Sequence, residues 1–204
     1  MILKVDLNES YSIDLGYKGG RKYVHGTDLY NSISNLAKQI IAPEAWVKSL
    51  IINKMIHMKC VIKFNIVNHD KVAGKFIISN NKDYIEGYVI ETNNSIVRHY
   101  AYDESSIYST ILLTGSRADQ TFRTKFSSIE EVVAITKYLH NKIYPALGKI
   151  WVFSKLKLTK RFNVSKDTLY SIRVKQNLGN RMTLSEIKEN DQFIGEIVFT
   201  AMDV

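Results

Sequence analysis

Residues 23–42, YVHGTDLYNSISNLAKQIIA, constrain the fold most, because a His25-Gly26-Thr27-Asp28 turn runs straight into an apolar repeat of helical period. Leu29, Ile33, Leu36 and Ile40 recur at helical spacing, with Ala37 and Ile41 beside them, while Asn31, Ser32, Ser34, Asn35 and Lys38 take other faces. An apolar face this wide must be covered by other elements. Gly26 lacks a Cβ and permits a sharp turn. Thr27 or Asp28 then serves as N-cap, and Pro43 ends the helix.

His25 and Asp28 therefore stand where a helix presents unpaired N–H groups and partial positive charge. Such a place suits an oxyanion, a carbonyl or a phosphate. A neighbouring imidazole can act there as acid or base. The competing reading is local: Thr27 or Asp28 caps the helix and His25 is a turn residue.

A second helix is marked by Ser128 and Glu131, spaced as a capping box. Its apolar face is Ile129, Val132, Val133, Ile135, Leu139 and Ile143, closed by Pro145 and Gly148. Before the first helix, residues 3–7 and 11–15 read as short strands and residues 17–21 as a turn. Residues 44–53 suit either a helical turn or a covering loop. Strands are expected at 55–67, 72–78, 84–92, 95–102, 106–114 and 119–126. Turn formers divide them at 68–70, 80–83, 93–94 and 103–104, with Asn93-Asn94 a hairpin signal. Further strands are expected at 149–159, 168–176, 181–188 and 192–201, and their short connections imply antiparallel neighbours. The fold class is α+β, with two helices wrapped by antiparallel sheet. The chain divides into halves of like order, 1–115 and 116–204, within one compact unit.

Composition narrows the function classes. Apolar residues are 45% of the 204 and charged residues 24%, as in globular proteins. No apolar run approaches the roughly 20 residues of a membrane span, and the N-terminal segment lacks the pattern of a signal peptide. A cytoplasmic location without membrane association is expected. The single cysteine, Cys60, excludes an intrachain disulfide and a multi-cysteine zinc site. The five histidines, His25, His57, His69, His99 and His140, form no H-x-x-x-H pair, so no local metal motif exists. Asp103-Glu104 and Glu130-Glu131 point apart as sequence neighbours. Gly19-Gly20 reads as a turn, and no phosphate-binding loop of the GK[ST] or G-x-G-x-x-G type is present.

The net charge of +8, from 28 basic and 20 acidic residues, permits an anionic partner. Many of the cations fall in the last third, among them Lys155, Lys157 and Arg173. Arg98, Tyr100 and Tyr102 alternate onto one strand face, as a stacking platform for single-stranded nucleic acid requires.

A helix followed by a meander of antiparallel strands, repeated once, resembles the hotdog fold in a double arrangement. In hotdog enzymes acting on acyl thioesters the site lies by the N-terminus of the central helix. The resemblance implies that His25 is the acid or base, Asp28 its orienter or a second carboxylate, and Gly26 and Thr27 part of a carbonyl clamp. In the second half the matching loop, 116–127, carries Arg117, Asp119 and Arg123 but no His, so Arg117 and Arg123 are read as substrate-binding. The proline-containing His loop of the dehydratase branch is missing. Thioesterase, dehydratase and acyltransferase-like chemistry all stay open. The resemblance implies no cofactor of the protein's own; the acyl group would arrive on coenzyme A or on the phosphopantetheine of an acyl carrier protein. A homo-oligomer is compatible with this reading. The alternatives are a non-catalytic basic protein binding nucleic acid or a protein partner through its C-terminal strands, and a degenerate hotdog that scaffolds a partner.

Overall fold

The computed structural model describes residues 6–65, 71–145 and 149–203. The strand expected at 3–7, the turn at 68–70 with His69, and the closing Gly148 lie wholly or partly outside them. The chain forms two compact units, one ending at Tyr102 and one beginning at Asp103.

In the first unit the elements are β1 (Ser10–Ser12), β2 (Tyr17–Lys18), α1 (Gly26–Ile40), β3 (Trp46–Ile52), β4 (Met58–Lys63), β5 (Val72–Ser79), β6 (Tyr84–Ser95) and β7 (His99–Tyr100). Five strands pair antiparallel in the order β1-β4-β6-β5-β3, while β2 and β7 form a separate parallel pair. Alternation decides which face is inner. Cys60, Ile62, Phe76 and Val89 are buried there, with Leu29, Ile33 and Ala37 of α1. α1 packs against β3.

Several sequence expectations shift. Residues 44–53 hold β3, whose buried Trp46, Val47 and Leu50 follow a strand interrupted by a bulge. Asn93-Asn94 is no hairpin: β6 runs through it, and Ser95 pairs with Met58. The strand expected at 95–102 shrinks to β7. Gly87 of β6 explains how Phe76 fits, since a Cβ there would lie 2.2 Å from its ring.

In the second unit the elements are α2 (Ser105–Tyr108), β8 (Ile111–Thr114), β9 (Arg117–Gln120), α3 (Ser128–Ile143), β10 (Lys149–Leu158), β11 (Tyr170–Leu178), β12 (Met182–Glu189) and β13 (Gln192–Asp203). Six strands pair antiparallel in the order β10-β13-β12-β11-β9-β8. Residues 106–114, expected as one strand, divide into α2 and β8, and in place of the strand expected at 119–126 there is β9 at 117–120, with 121–126 outside any strand. Glu104 holds this segment to α3, accepting from Lys137 at 2.8 Å, and Tyr108 lies 5.0 Å from Tyr138. These contacts tie Glu104 and Tyr108 to the second unit, which begins at Asp103. The capping box is Ser127 with Glu130, one residue before the expected pair, and Ser127 N–H donates to Glu130 at 2.9 Å. No helix among the described residues is long and apolar enough to cross a membrane.

His140 of α3 is fully buried, 5.1 Å from Trp151 and 5.2 Å from Phe199, with Nε2 against the Thr183 hydroxyl at 3.1 Å. Burial lowers it from 6.5 to about 4, so it folds neutral. Unfolding exposes a group that protonates below about 6.5, so the unfolded chain gains protons first as pH falls. Stability should be full above about pH 6.5 and drop by about 3 kcal/mol towards pH 4. Denaturant midpoints at pH 7 and pH 4.5 check this: His140→Leu should lose most of the acid sensitivity, and an unchanged pH dependence contradicts the assignment. Gly87→Ala should cost about 1–3 kcal/mol by crowding Phe76. Adding Phe76→Leu should return part of it in the same urea titration, whereas a neutral Gly87→Ala contradicts the close approach.

Candidate functional site

The leading end of α1 gathers the first unit's polar groups. His25, not Thr27 or Asp28, is the N-cap residue, with extended backbone at φ −71° and ψ 134°. Its carbonyl accepts from the Asp28 and Leu29 amides at 2.9 and 3.3 Å. Gly26 opens the helix and is not among the residues of positive φ. Thr27 and Asp28 lie inside the first turn, beyond the N-cap position, and their side chains turn elsewhere.

They are drawn to Lys18. β2 lies beside β7 with Lys18 in register with Tyr100. Tyr17 N–H donates to Arg98 C=O at 2.8 Å and Gly19 N–H to Tyr100 C=O at 2.9 Å. Gly19 turns the chain at φ +61°, a conformation that favours glycine. This clasp brings the Lys18 ammonium, 1% exposed, to 3.0 Å from Asp28 Oδ1 and 3.2 Å from Thr27 Oγ1. The ammonium also sits 4.0 Å from the Tyr102 ring centroid, a cation–π contact. Tyr100 O–H donates to the other Asp28 oxygen. Thr27 Oγ1 meets His25 Nδ1 at 2.7 Å.

A buried line thus runs from carboxylate to ammonium to hydroxyl to imidazole. Lys18 has only donors, so Thr27 Oγ1 accepts from it and keeps a hydroxyl proton and one further lone pair for the imidazole. The structure brings together His25, Gly26, Thr27 and Asp28, and adds Lys18, Tyr100 and Tyr102. His25 is only 7% exposed and Thr27 fully buried. The Tyr100 and Tyr102 rings, expected on an open platform, are spent on this cluster, and Arg98 pairs with Asp14.

The second unit repeats the device. At the leading end of α3, Arg123 Nε lies 2.5 Å from the fully buried Glu131 Oε2. Glu131 Oε1 accepts from Thr124 N–H at 2.7 Å and from its hydroxyl at 2.8 Å. The Arg123 guanidinium stands 5.0 Å from the Tyr170 ring. Burial pushes the Tyr170 phenol up to about 12, so it stays a donor, to Asn163 C=O at 3.2 Å. Arg117 lies apart from this group, paired with Asp119 at 2.7 Å and Asp191 at 3.0 Å. The two arginines read as substrate-binding are therefore both committed to carboxylates.

Cys60 is buried, and burial followed by the nearby Glu91 pushes its thiol up to about 12, an inert form. A shallow hollow of about 150 Å³, including solvent at its mouth, is lined by Ile41, Ile78, Asn80, Asp83 and Ile85, towards the other end of α1. Among the described residues no three His, Cys, Asp or Glu side chains converge as a metal group.

Sequence reasoning missed Lys18, Tyr100 and Tyr170. A usable signal for Lys18 was the need of a half-buried Asp28 for a cation, but nothing in the local spacing points to YKGGR.

No family model matches the chain, and no curated protein matches it. Solved structures do. A candidate thioesterase II from Thermobifida fusca aligns at TM-score 0.50 and 8% identity, over 95% of this chain and 91% of that one. The tesB protein of Mycobacterium avium subspecies paratuberculosis aligns at 0.49 and 9%, over 93% and 92%. The dehydratase domain of PpsC from Mycobacterium tuberculosis, in complex with C12:1-CoA, aligns at 0.48 and 10%, over 94% and 88%. At these identities the likeness concerns fold alone, and the fold is of the hotdog type.

Breaking the first ion pair should be costly. Lys18→Met leaves Asp28 buried without its cation and should lose about 3–5 kcal/mol, whereas Lys18→Met with Asp28→Leu should recover most of that loss. Equilibrium unfolding of the two variants checks this; a Lys18→Met protein as stable as the parent contradicts a buried pair.

Proposed function

We propose that this hotdog-fold chain binds an acyl thioester, delivered on coenzyme A or an acyl carrier protein, at the leading end of α1. His25 is the acid–base group, and each unit's long helix is enclosed by its antiparallel strands in a double-hotdog arrangement. The observation that carries the reading is the His25–Thr27–Lys18–Asp28 line at a helix N-terminus. Titratable groups packed together at a helix N-terminus make that place a candidate for acid–base work. The likeness to a candidate thioesterase II supports the fold context.

The chemistry assigned to the residues is hydrolysis. With Nδ1 held by Thr27, the imidazole acts through Nε2. It takes a proton from water as the oxygen attacks the thioester carbon, then returns one to the departing thiolate. The helix end stabilises the developing oxyanion. Asp28 and Lys18 hold Thr27, and through it the ring. Dehydration lacks its proline-containing His loop here and is set below hydrolysis. Since His25 is 7% exposed, the β2–β7 clasp must yield to admit the acyl group.

A second reading has its own observation. Both helix mouths are closed by a buried ion pair, which suits a hotdog that binds a partner without turning over a substrate. Acyl-CoA esters of graded chain length, with thiol release as readout, separate the two. Under the enzyme reading the parent protein releases thiol and His25→Ala lowers kcat by about 10²–10⁴-fold at unchanged thermal midpoint. Equal turnover in His25→Ala contradicts the site. No turnover and no acyl-CoA binding by the parent favours the scaffold.

A further inference from the structure

The first unit's sheet has a solvent face that the site does not use. β6 places Tyr84, Glu86 and Tyr88 on it, opposite the buried Val89 and the Gly87 that faces Phe76. Register carries one row straight across the sheet. Ser10 of β1 pairs with Lys63 of β4, Lys63 with Tyr88 of β6, Tyr88 with Lys75 of β5, and Lys75 with Ile51 of β3. Tyr88 is therefore flanked on both sides by lysines. Four residues along β6, Tyr84 is 62% exposed, with Lys48 Nζ 4.0 Å above its ring and 2.9 Å from its hydroxyl. Lys75 stands 5.7 Å from the Tyr88 ring and 2.7 Å from Glu86, the one carboxylate among these groups.

The basic strands of the second unit have a different pattern. There Lys157 of β10 pairs in register with Glu196 of β13, Glu196 with Glu186 of β12, and Glu186 with Arg173 of β11. Two carboxylates separate the cations, and Lys175 adds an ion pair to Glu186 at 3.6 Å. That row largely neutralises itself. The sequence reading that placed an anionic partner on Lys155, Lys157 and Arg173 points to the less suitable face.

We infer that the outer face of the first unit's sheet, through Tyr84, Tyr88, Lys48, Lys63 and Lys75, is a binding surface for single-stranded nucleic acid. An exposed ring, Tyr84, and a half-buried one, Tyr88, interleaved with cations on a sheet face offer base stacking together with backbone neutralisation. A duplex hides its base faces and would use the lysines alone. An acidic peptide would likewise leave the rings idle. The rings are what selects a single strand. The lysines now above Tyr84 and Tyr88 turn to the phosphates as bases take their place on the rings. The proposal is independent of thioester binding, since none of these residues belongs to the α1 cluster.

Fluorescence anisotropy of a labelled 20-mer oligo(dT) tests it, with the full chain at several salt concentrations. The parent should bind saturably, with affinity falling as salt rises. Lys63→Gln with Lys75→Gln should lower affinity at least tenfold and flatten the log–log salt slope by about 1.4, at roughly 0.7 per phosphate contact on a single strand. Tyr84→Ala with Tyr88→Ala should lower affinity about tenfold or more without changing that slope. Lys157→Gln with Arg173→Gln should leave binding intact. The proposal is overturned by absence of saturable binding at low salt, or by an equal loss in the second-unit control. It is equally overturned if duplex DNA, a poly-glutamate peptide or anionic vesicles compete as well as the unlabelled oligonucleotide, or if the tyrosine variant binds like the parent.

Discussion

A lysine ammonium held almost wholly away from water dictates the first unit's architecture. Lys18 is 1% exposed, and an unpaired charge in such a place would be prohibitive. It is tolerated because Asp28, Thr27 and the Tyr102 ring converge on it. Thr27 and Asp28 come from the first turn of α1, Tyr102 from just beyond β7, and Lys18 itself from β2. The parallel β2–β7 contact, the left-handed Gly19 and the position of α1 therefore have to agree. The second unit solves the same problem with a guanidinium, Arg123 against Glu131, and there Thr124 supplies the extra donors. Such pairs add little net stability over apolar groups of the same shape, but they punish any rearrangement that parts them. They hold each helix end in one arrangement.

The helices were legible because their periodicity is long and their stops are strong. The second helix slid by one residue because both Ser127 with Glu130 and Ser128 with Glu131 satisfy the same spacing rule, and only packing chooses between them. Glu131 is the buried member, committed to Arg123, which leaves Glu130 for the cap. Residues 44–53 stayed ambiguous because a bulge breaks the alternation of β3. Asn93-Asn94 misled because turn residues near the end of a long strand look like a hairpin until the register with Met58 is known.

The site was half legible. His25, Gly26, Thr27 and Asp28 are contiguous, so placing the helix placed them. Their roles were not legible: the helix starts earlier than a Thr27 or Asp28 cap requires, His25 is the N-cap, and Asp28 and Thr27 contact Lys18. Lys18 and Tyr100 are separated by more than eighty residues and meet only through a two-residue parallel pair. No local pattern announces such a contact. The arrangement of charge was not legible for a related reason. A count of lysines and arginines favours the last third of the chain, whereas the strand register sets Glu186 and Glu196 between its cations and leaves Tyr88 between Lys63 and Lys75 in the first unit.

The thioester reading depends on an acyl carbonyl reaching an imidazole that is now enclosed. A crystal structure of the protein saturated with a non-hydrolysable ketone analogue of an acyl-CoA, in which a methylene replaces the thioester sulfur, tests that directly. The account predicts the analogue's carbonyl oxygen and reacting carbon beside α1's first turn, with His25 Nε2 within hydrogen-bond reach and the β2–β7 clasp displaced. An analogue bound elsewhere, or an unchanged His25–Thr27–Lys18–Asp28 line with no ligand beside it, would contradict the account.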